Sequence, residues 1–207
     1  MPHRDSLSTH TDTDLAAVKA ELWADLRHGR DALLVKLDGL SPYDARRPMT
    51  VTGTNLVGLL KHSVWCEAGY FGATFGRPFP QTSPNDLPDA DDNDDMFAAE
   101  DETVADIVDL AHRVWAHADE TIATLPMTAT GRVPWWPPER PMVTLSLILS
   151  RVITDVHRHA GHADILRELI DSSVGWRPDQ SSLPDYDQEQ WAAYVQRLET
   201  IAQNATA

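Results

Sequence analysis

Asp155, His159 and His162 carry side chains that ligate metals or move protons, and they follow one another at steps of four and three. At 100° per residue, Asp155 and His159 stand one helical turn apart on the same face, and His162 returns to within about 20° of Asp155. That face is the apolar one, shared with Leu145, Ile148, Val152 and Leu166. The carboxylate and both imidazoles are therefore expected to point at the core. His157 lies about 160° from Asp155 on the same wheel and is expected in solvent. A second stretch places His62 within the apolar stripe Leu56, Leu59, Leu60, Cys66 and Tyr70. A buried carboxylate without partners is costly, so the cluster must be neutralised by its own hydrogen bonds or by a metal. Both readings stand at this point. Asp/His pairs at i,i+4 often do no more than fix helix register, whereas two ligands from one helix and a third from a facing helix build an open metal site.

Other groups invite chemistry less strongly. Asp89, Asp91, Asn93, Asp95 and Glu100 fall at positions 1, 3, 5, 7 and 12 of a calcium loop. Asp94 stands where that loop needs Gly, and Pro84 and Pro88 forbid the helix leading in. The run reads instead as a solvated acidic connector whose tail caps the following helix. Cys66, one turn after His62, could add a thiolate ligand, but a lone Cys on an apolar helix face is more often a small hydrophobe. Trp65, Tyr70, Trp135 and Trp136 read as packing residues ahead of a substrate box.

The elements that must position these residues are helical. Apolar residues recur at steps of three and four from about Thr13 to Leu40, from Thr54 to Phe75, from Glu100–Glu102 to Pro126, and from after Pro141 to Ser172, with a shorter piece over Asp187–Gln203. No alternating strand pattern of useful length interrupts them. The expected fold is all-α: an up-and-down four-helix bundle with an additional C-terminal helix, a single domain over 1–207 with its core over about 13–172. The long, proline-rich connectors Gly76–Asp95 and Pro126–Pro141 are either functional or a crossover spanning the bundle.

Composition sets the outer limits. Seventeen Lys and Arg against 32 Asp and Glu give a formal net charge of −15 over 207 residues, which argues against nucleic-acid or anionic-membrane partners. The single cysteine excludes an internal disulfide framework. No apolar run approaches a membrane span, and the first residues lack the apolar core of a secretory signal, so a cytoplasmic protein is expected.

The motifs Asn55-Leu-Val-Gly-Leu-Leu-Lys-His62, Glu67-Ala-Gly-Tyr-Phe-Gly-Ala-Thr-Phe-Gly-Arg-Pro78 and His159-Ala-Gly-His-Ala-Asp-Ile-Leu-Arg-Glu-Leu-Ile-Asp171 resemble the DinB-like superfamily. More narrowly they resemble its mini-circle protein branch, and the likeness runs from about Leu15 to Leu198. The resemblance implies a four-helix bundle holding a divalent metal on three side chains, which map to His62, Asp155 and His159. It implies zinc, with nickel or iron as alternatives. As in the related mycothiol-dependent maleylpyruvate isomerases, the metal would activate a low-molecular-weight thiol such as mycothiol for transfer or isomerisation on a small electrophile, and the protein could form a homodimer. Two departures bear on this. Asp155 is one methylene shorter than the usual Glu, and Arg151, one turn earlier, could pair with Asp155 in place of a metal, leaving His162 as a substitute ligand. The alternative function is a non-catalytic stress or accessory bundle with a polar His/Asp core. A non-haem iron oxygenase also fits a two-histidine, one-carboxylate face.

Overall fold

The periodic stretches form helices in the structure, a computed structural model that describes residues 5–140, 142–177, 181 and 183–205. Helix α1 spans Asp5–Val35, the short α2 Pro42–Arg46, α3 Leu56–Glu67, α4 Val104–Thr124, α5 Leu145–Asp171 and α6 Gln188–Gln203. Helix α1 begins well before Thr13, because the polar residues ahead of Leu15 carry no apolar period to read. Pro141, the expected boundary before the fourth long helix, lies outside the described residues. The connector between α4 and α5 is closed by a two-residue antiparallel ladder, Thr130–Gly131 against Val143–Thr144.

By its own contacts the chain divides after Val174 into two units. The second contains α6, opened by an Asp187/Gln190 capping box, with the Trp191 ring 5.0 Å from Tyr186 and 5.8 Å from Tyr194. The first contains α1 to α5 and the core, in which Leu26, Leu60, Ile107, Val114, Ile122, Leu145 and Leu149 are buried. Among the described residues no helix is long and apolar enough to cross a membrane.

Cross-links between helices fix their directions. Lys19 bonds the Ala123 and Leu125 carbonyls while Trp23 and Arg30 reach Asp119, so α1 and α4 are antiparallel. His157 reaches the Asp25 carbonyl, Lys36 pairs with Asp164, and Arg167 bonds the Lys36 and Asp38 carbonyls, so α1 and α5 are parallel. Lys61 meets Glu102 just before α4, and Gly72, just past α3, lies near His117. Helices α3 and α4 therefore run the same way. The all-α bundle is as expected, but its four directions are up, down, down, up and not simple alternation, and the long connector after α3 is the crossover that returns the chain to the same end of the bundle.

That crossover begins with irregular helix. After Glu67 the chain continues as a π-helical turn, Ala68–Gly72, and a 3₁₀ turn, Ala73–Phe75, stopping at Gly76 with φ of 70°. A π-turn shifts the register of the side chains that follow, and such turns are frequent at functional sites. Here it carries Tyr70 beside the groups described next.

A candidate metal centre and its two cavities

Helix α3 is held at its start by the crossover. Asn55 caps it, accepting from Gly58 N at 2.8 Å and donating to the Met96 carbonyl at 3.2 Å. Met96 O lies so close to Gly58 that any Cβ there would overlap it. Lys61, 2% exposed, donates to Glu102 Oε2 at 2.7 Å and to the Phe97 carbonyl at 2.9 Å. These contacts dock residues 95–102 on α3 and set Asp95 against His62. The acidic run thus does not end as a solvated helix cap. Its last carboxylate, Asp95, is buried, Glu102 serves Lys61, and α4 is capped by Thr103 with Asp106.

His62 Nδ1 donates to Asp95 Oδ2 at 2.8 Å. Asp95 also receives its position from Asn85, whose Oδ1 accepts from Asp95 N at 2.9 Å. The Asp95 bond, helped by a contact of His62 Nε2 with Cys66 Sγ at 3.5 Å, raises His62 to about 10. Burial alone would raise Asp95, but His62 and Asn85 outweigh it and hold the carboxyl below its ordinary range. A carboxylate behind the ring is the arrangement that fixes a ligating histidine, since it settles both tautomer and orientation.

Helix α5 brings the other two groups. His159 Nε2 lies 3.6 Å from Asp155 Oδ1, too far for a hydrogen bond, while His159 Nδ1 is buried with no partner. Facing His159 holds the Asp155 carboxyl below its ordinary value. The His62 and His159 rings meet edge to face at 5.0 Å. One ligand atom each from His62, Asp155 and His159 lies within 4.8 Å of the other two. In a tetrahedral site with bonds of about 2.1 Å, ligand atoms are about 3.4 Å apart, so the three groups would draw closer together to share one ion. The donor set, two imidazoles and a carboxylate that protein partners leave incompletely satisfied, fits a borderline divalent cation such as zinc, and equally nickel or iron.

Arg151 and His162 do not act as the sequence suggested. The Arg151 guanidinium lies over the Trp136 ring, 5.1 Å from its centroid, and makes no ion pair with Asp155. His162 is exposed and outside the converging set, its ring 5.7 Å from His159. It shares the angular face of Asp155 but lies about 10 Å further along the helix axis, beyond reach of the same point. His157 is exposed, as expected.

A second polar cluster sits deeper. Fully buried Glu67 accepts from Arg30 Nη2 at 2.6 Å and Arg30 Nε at 3.1 Å, and Arg30 Nη1 donates to Asp119 at 2.7 Å. Burial pushes the Glu67 carboxyl up, against the pull of Arg30. The network ties α1, α3 and α4 together.

Two cavities open nearby: His62 and Asp155 line the smaller, and Asp95 and Cys66, both in contact with His62, line the larger. The larger, about 680 Å³, lies between the π-turn and both connectors and is walled by Trp65, Cys66, Tyr70, Phe79, Asp95 and Trp135, among others. The smaller, about 360 Å³, holds His62, Asp155, Arg151 and Arg158, and shares Cys66 and Tyr70 with the larger. Trp65, Tyr70 and Trp135, expected as packing residues, thus also form cavity wall, whereas Trp136 packs under Arg140 and Arg151. Asp95 and the Arg30–Glu67–Asp119 network were missed from sequence. The available signals were Met96-Phe97 closing the acidic run, and Lys61 and Glu67 standing on an otherwise buried helix.

The model of a family described as mycothiol-S-transferase matches the chain over residues 21–172, a span that takes in every residue of the site. No curated protein sequence matches the chain.

Proposed function

The chain belongs to the mycothiol-S-transferase family, and on that premise we propose that it is a cytoplasmic, metal-dependent enzyme that joins a low-molecular-weight thiol, mycothiol first, to a small electrophile or isomerises one through the thiol. His62, Asp155 and His159 would hold the metal. The observation that carries this reading is their convergence within 4.8 Å, beside two cavities with a common wall. When bound, a divalent cation with an open position supplies Lewis acidity that lowers the pKa of a thiol, so that sulfur is anionic near neutral pH.

The protein's own groups do the rest. Asp95 holds the His62 ring by Nδ1, so that Nε2, whose one protein contact is Cys66 Sγ at 3.5 Å, is the atom that would serve the metal. Asp155, its side chain 42% exposed, borders solvent, into which the thiol proton can leave. The thiolate then attacks the electrophilic carbon, forming C–S as the bond to the leaving group breaks with its electron pair. Tyr70 and Cys66 stand where the two cavities adjoin and limit how the reactants approach. The alternative, a non-catalytic bundle whose polar core fixes register, draws on the Arg30–Glu67–Asp119 network. That network needs none of the three converging groups, which leaves them for chemistry. A homodimer belongs to the proposal and is read by sedimentation.

The test is conjugation of mycothiol, or a surrogate thiol, to a chlorinated aromatic or an epoxide. Turnover should vanish on chelation, return with metal, and be absent in folded His159→Ala. Activity that survives chelation and His159→Ala would overturn the metal reading.

A further inference from the structure

The two cavities differ in wall chemistry, and the difference assigns their occupants. We propose that the larger cavity is the electrophile chamber, and that it takes an uncharged, flat, largely apolar molecule. The proposal rests on the thiol-transfer reading and deepens it by naming the substrate class.

The volume, about 680 Å³, falls in the range of small-molecule sites and suits a one- or two-ring compound. Aromatic rings from separate parts of the chain form its apolar side, Trp65 from α3, Phe79 from the first connector and Trp135 from the second, while Gln81 to Asp86 of the first connector form a polar edge. Trp135 is 53% exposed, more than core packing explains for so large a ring, yet it is fixed in place. It meets Tyr70 edge to face at 5.1 Å and lies so close to Gly69 that a Cβ there would come within 2.7 Å of it. A rigid, half-exposed indole at a cavity wall is a surface for a flat ring to pack on.

Trp65, only 7% exposed, forms the buried back of this wall. Charge decides against anions. Asp86 and Asp95 line this cavity and no Lys or Arg does, whereas the smaller one is lined by two cations, Arg151 and Arg158, against one carboxylate, Asp155. A hydrophilic thiol therefore belongs in the smaller cavity, and the apolar partner across Cys66 and Tyr70 from it.

The test is calorimetric titration of the full chain, without thiol, with two nitroarenes that differ in charge: 4-nitroanisole and 4-nitrobenzoate. Neither needs to react. The neutral compound should bind at least tenfold more tightly, and both Trp135→Ala and Gly69→Ala should weaken it about fivefold or more while circular dichroism stays unchanged. Equal or tighter binding of the anion, or unaltered binding in Trp135→Ala, overturns the assignment. So does a larger loss in Arg158→Ala than in Trp135→Ala, which would move the electrophile to the smaller cavity. If neither nitroarene binds but a thiol is still conjugated to an aliphatic epoxide, the chamber assignment fails and the transferase reading survives. If the nitroarenes bind as expected but no thiol is ever transferred, the chamber stands and the transferase reading fails.

Discussion

Asp95→Asn removes a charge from behind His62 while keeping the shape of the side chain and an oxygen that can accept from Nδ1. In the native protein Asp95 is the largest cause of His62 rising from 6.5 to about 10. A histidine raised on folding stabilises the folded state in full below its unfolded value, near pH 6.5, and that contribution is lost as pH climbs through about 10. A rise of this size corresponds to at most about 5 kcal/mol. The His62 side chain is 26% exposed and Cys66 supplies part of the effect, so solvent screening leaves about 2–3 kcal/mol for the Asp95 charge. Urea unfolding of chelated wild type and Asp95→Asn at pH 6, 8 and 10.5 measures it. The variant should be less stable by about 2–3 kcal/mol at pH 6, with the gap closing to less than about 0.5 kcal/mol at pH 10.5. A gap that is constant with pH, or that widens as pH rises, would refute the ion-pair reading of His62 and Asp95.

Three further outcomes follow from the same contacts. Gly58→Ala should push the Met96 carbonyl off α3 and cost about 2–3 kcal/mol, as overpacking does. Asp95→Asn should then add little in that background, which a double-mutant cycle would detect. Arg30→Met leaves Glu67 buried without its cation and should cost about 3–5 kcal/mol in urea unfolding, partly recovered by adding Glu67→Gln. Because His62 rests near 10 without metal, binding a divalent cation at pH 7 should displace about one proton from it, read as a dependence of binding enthalpy on buffer ionisation. Affinity should rise about tenfold per pH unit from 7 toward 10.

The helices were legible because each long one buries a stripe, and a stripe leaves a period of three to four in the chain. Their directions were not, since amphipathic spacing is the same whichever way a helix points. Only pairs such as Lys61 with Glu102 and Lys36 with Asp164 reveal that α3 and α4, and α1 and α5, run parallel. The convergence of His62, Asp155 and His159 was readable from an i,i+4 pair and one histidine on a facing apolar stripe. His162 shows where that reasoning stops, because a helical wheel reports angle and discards rise. Arg151 shows a second limit: its partner is the Trp136 ring from a connector, which spacing on its own helix cannot anticipate. Asp95 was hidden by its neighbours. Its company, Asp89, Asp91, Asp92 and Asp94 at the end of a proline-rich connector, suggested solvent, while the contact that buries it depends on a glycine, Gly58, 37 positions earlier in the chain.

The central claim is that His62, Asp155 and His159 hold a metal that receives a thiol. Cobalt(II) substitution followed by thiol titration tests it in a single absorption experiment. Cobalt should bind at one equivalent per chain and show ligand-field bands of a four- or five-coordinate site, and adding mycothiol or a surrogate should bring up a sulfur-to-cobalt charge-transfer band that is missing in His159→Ala. No cobalt uptake by the wild-type protein, or uptake with a spectrum indifferent to thiol, would contradict the account.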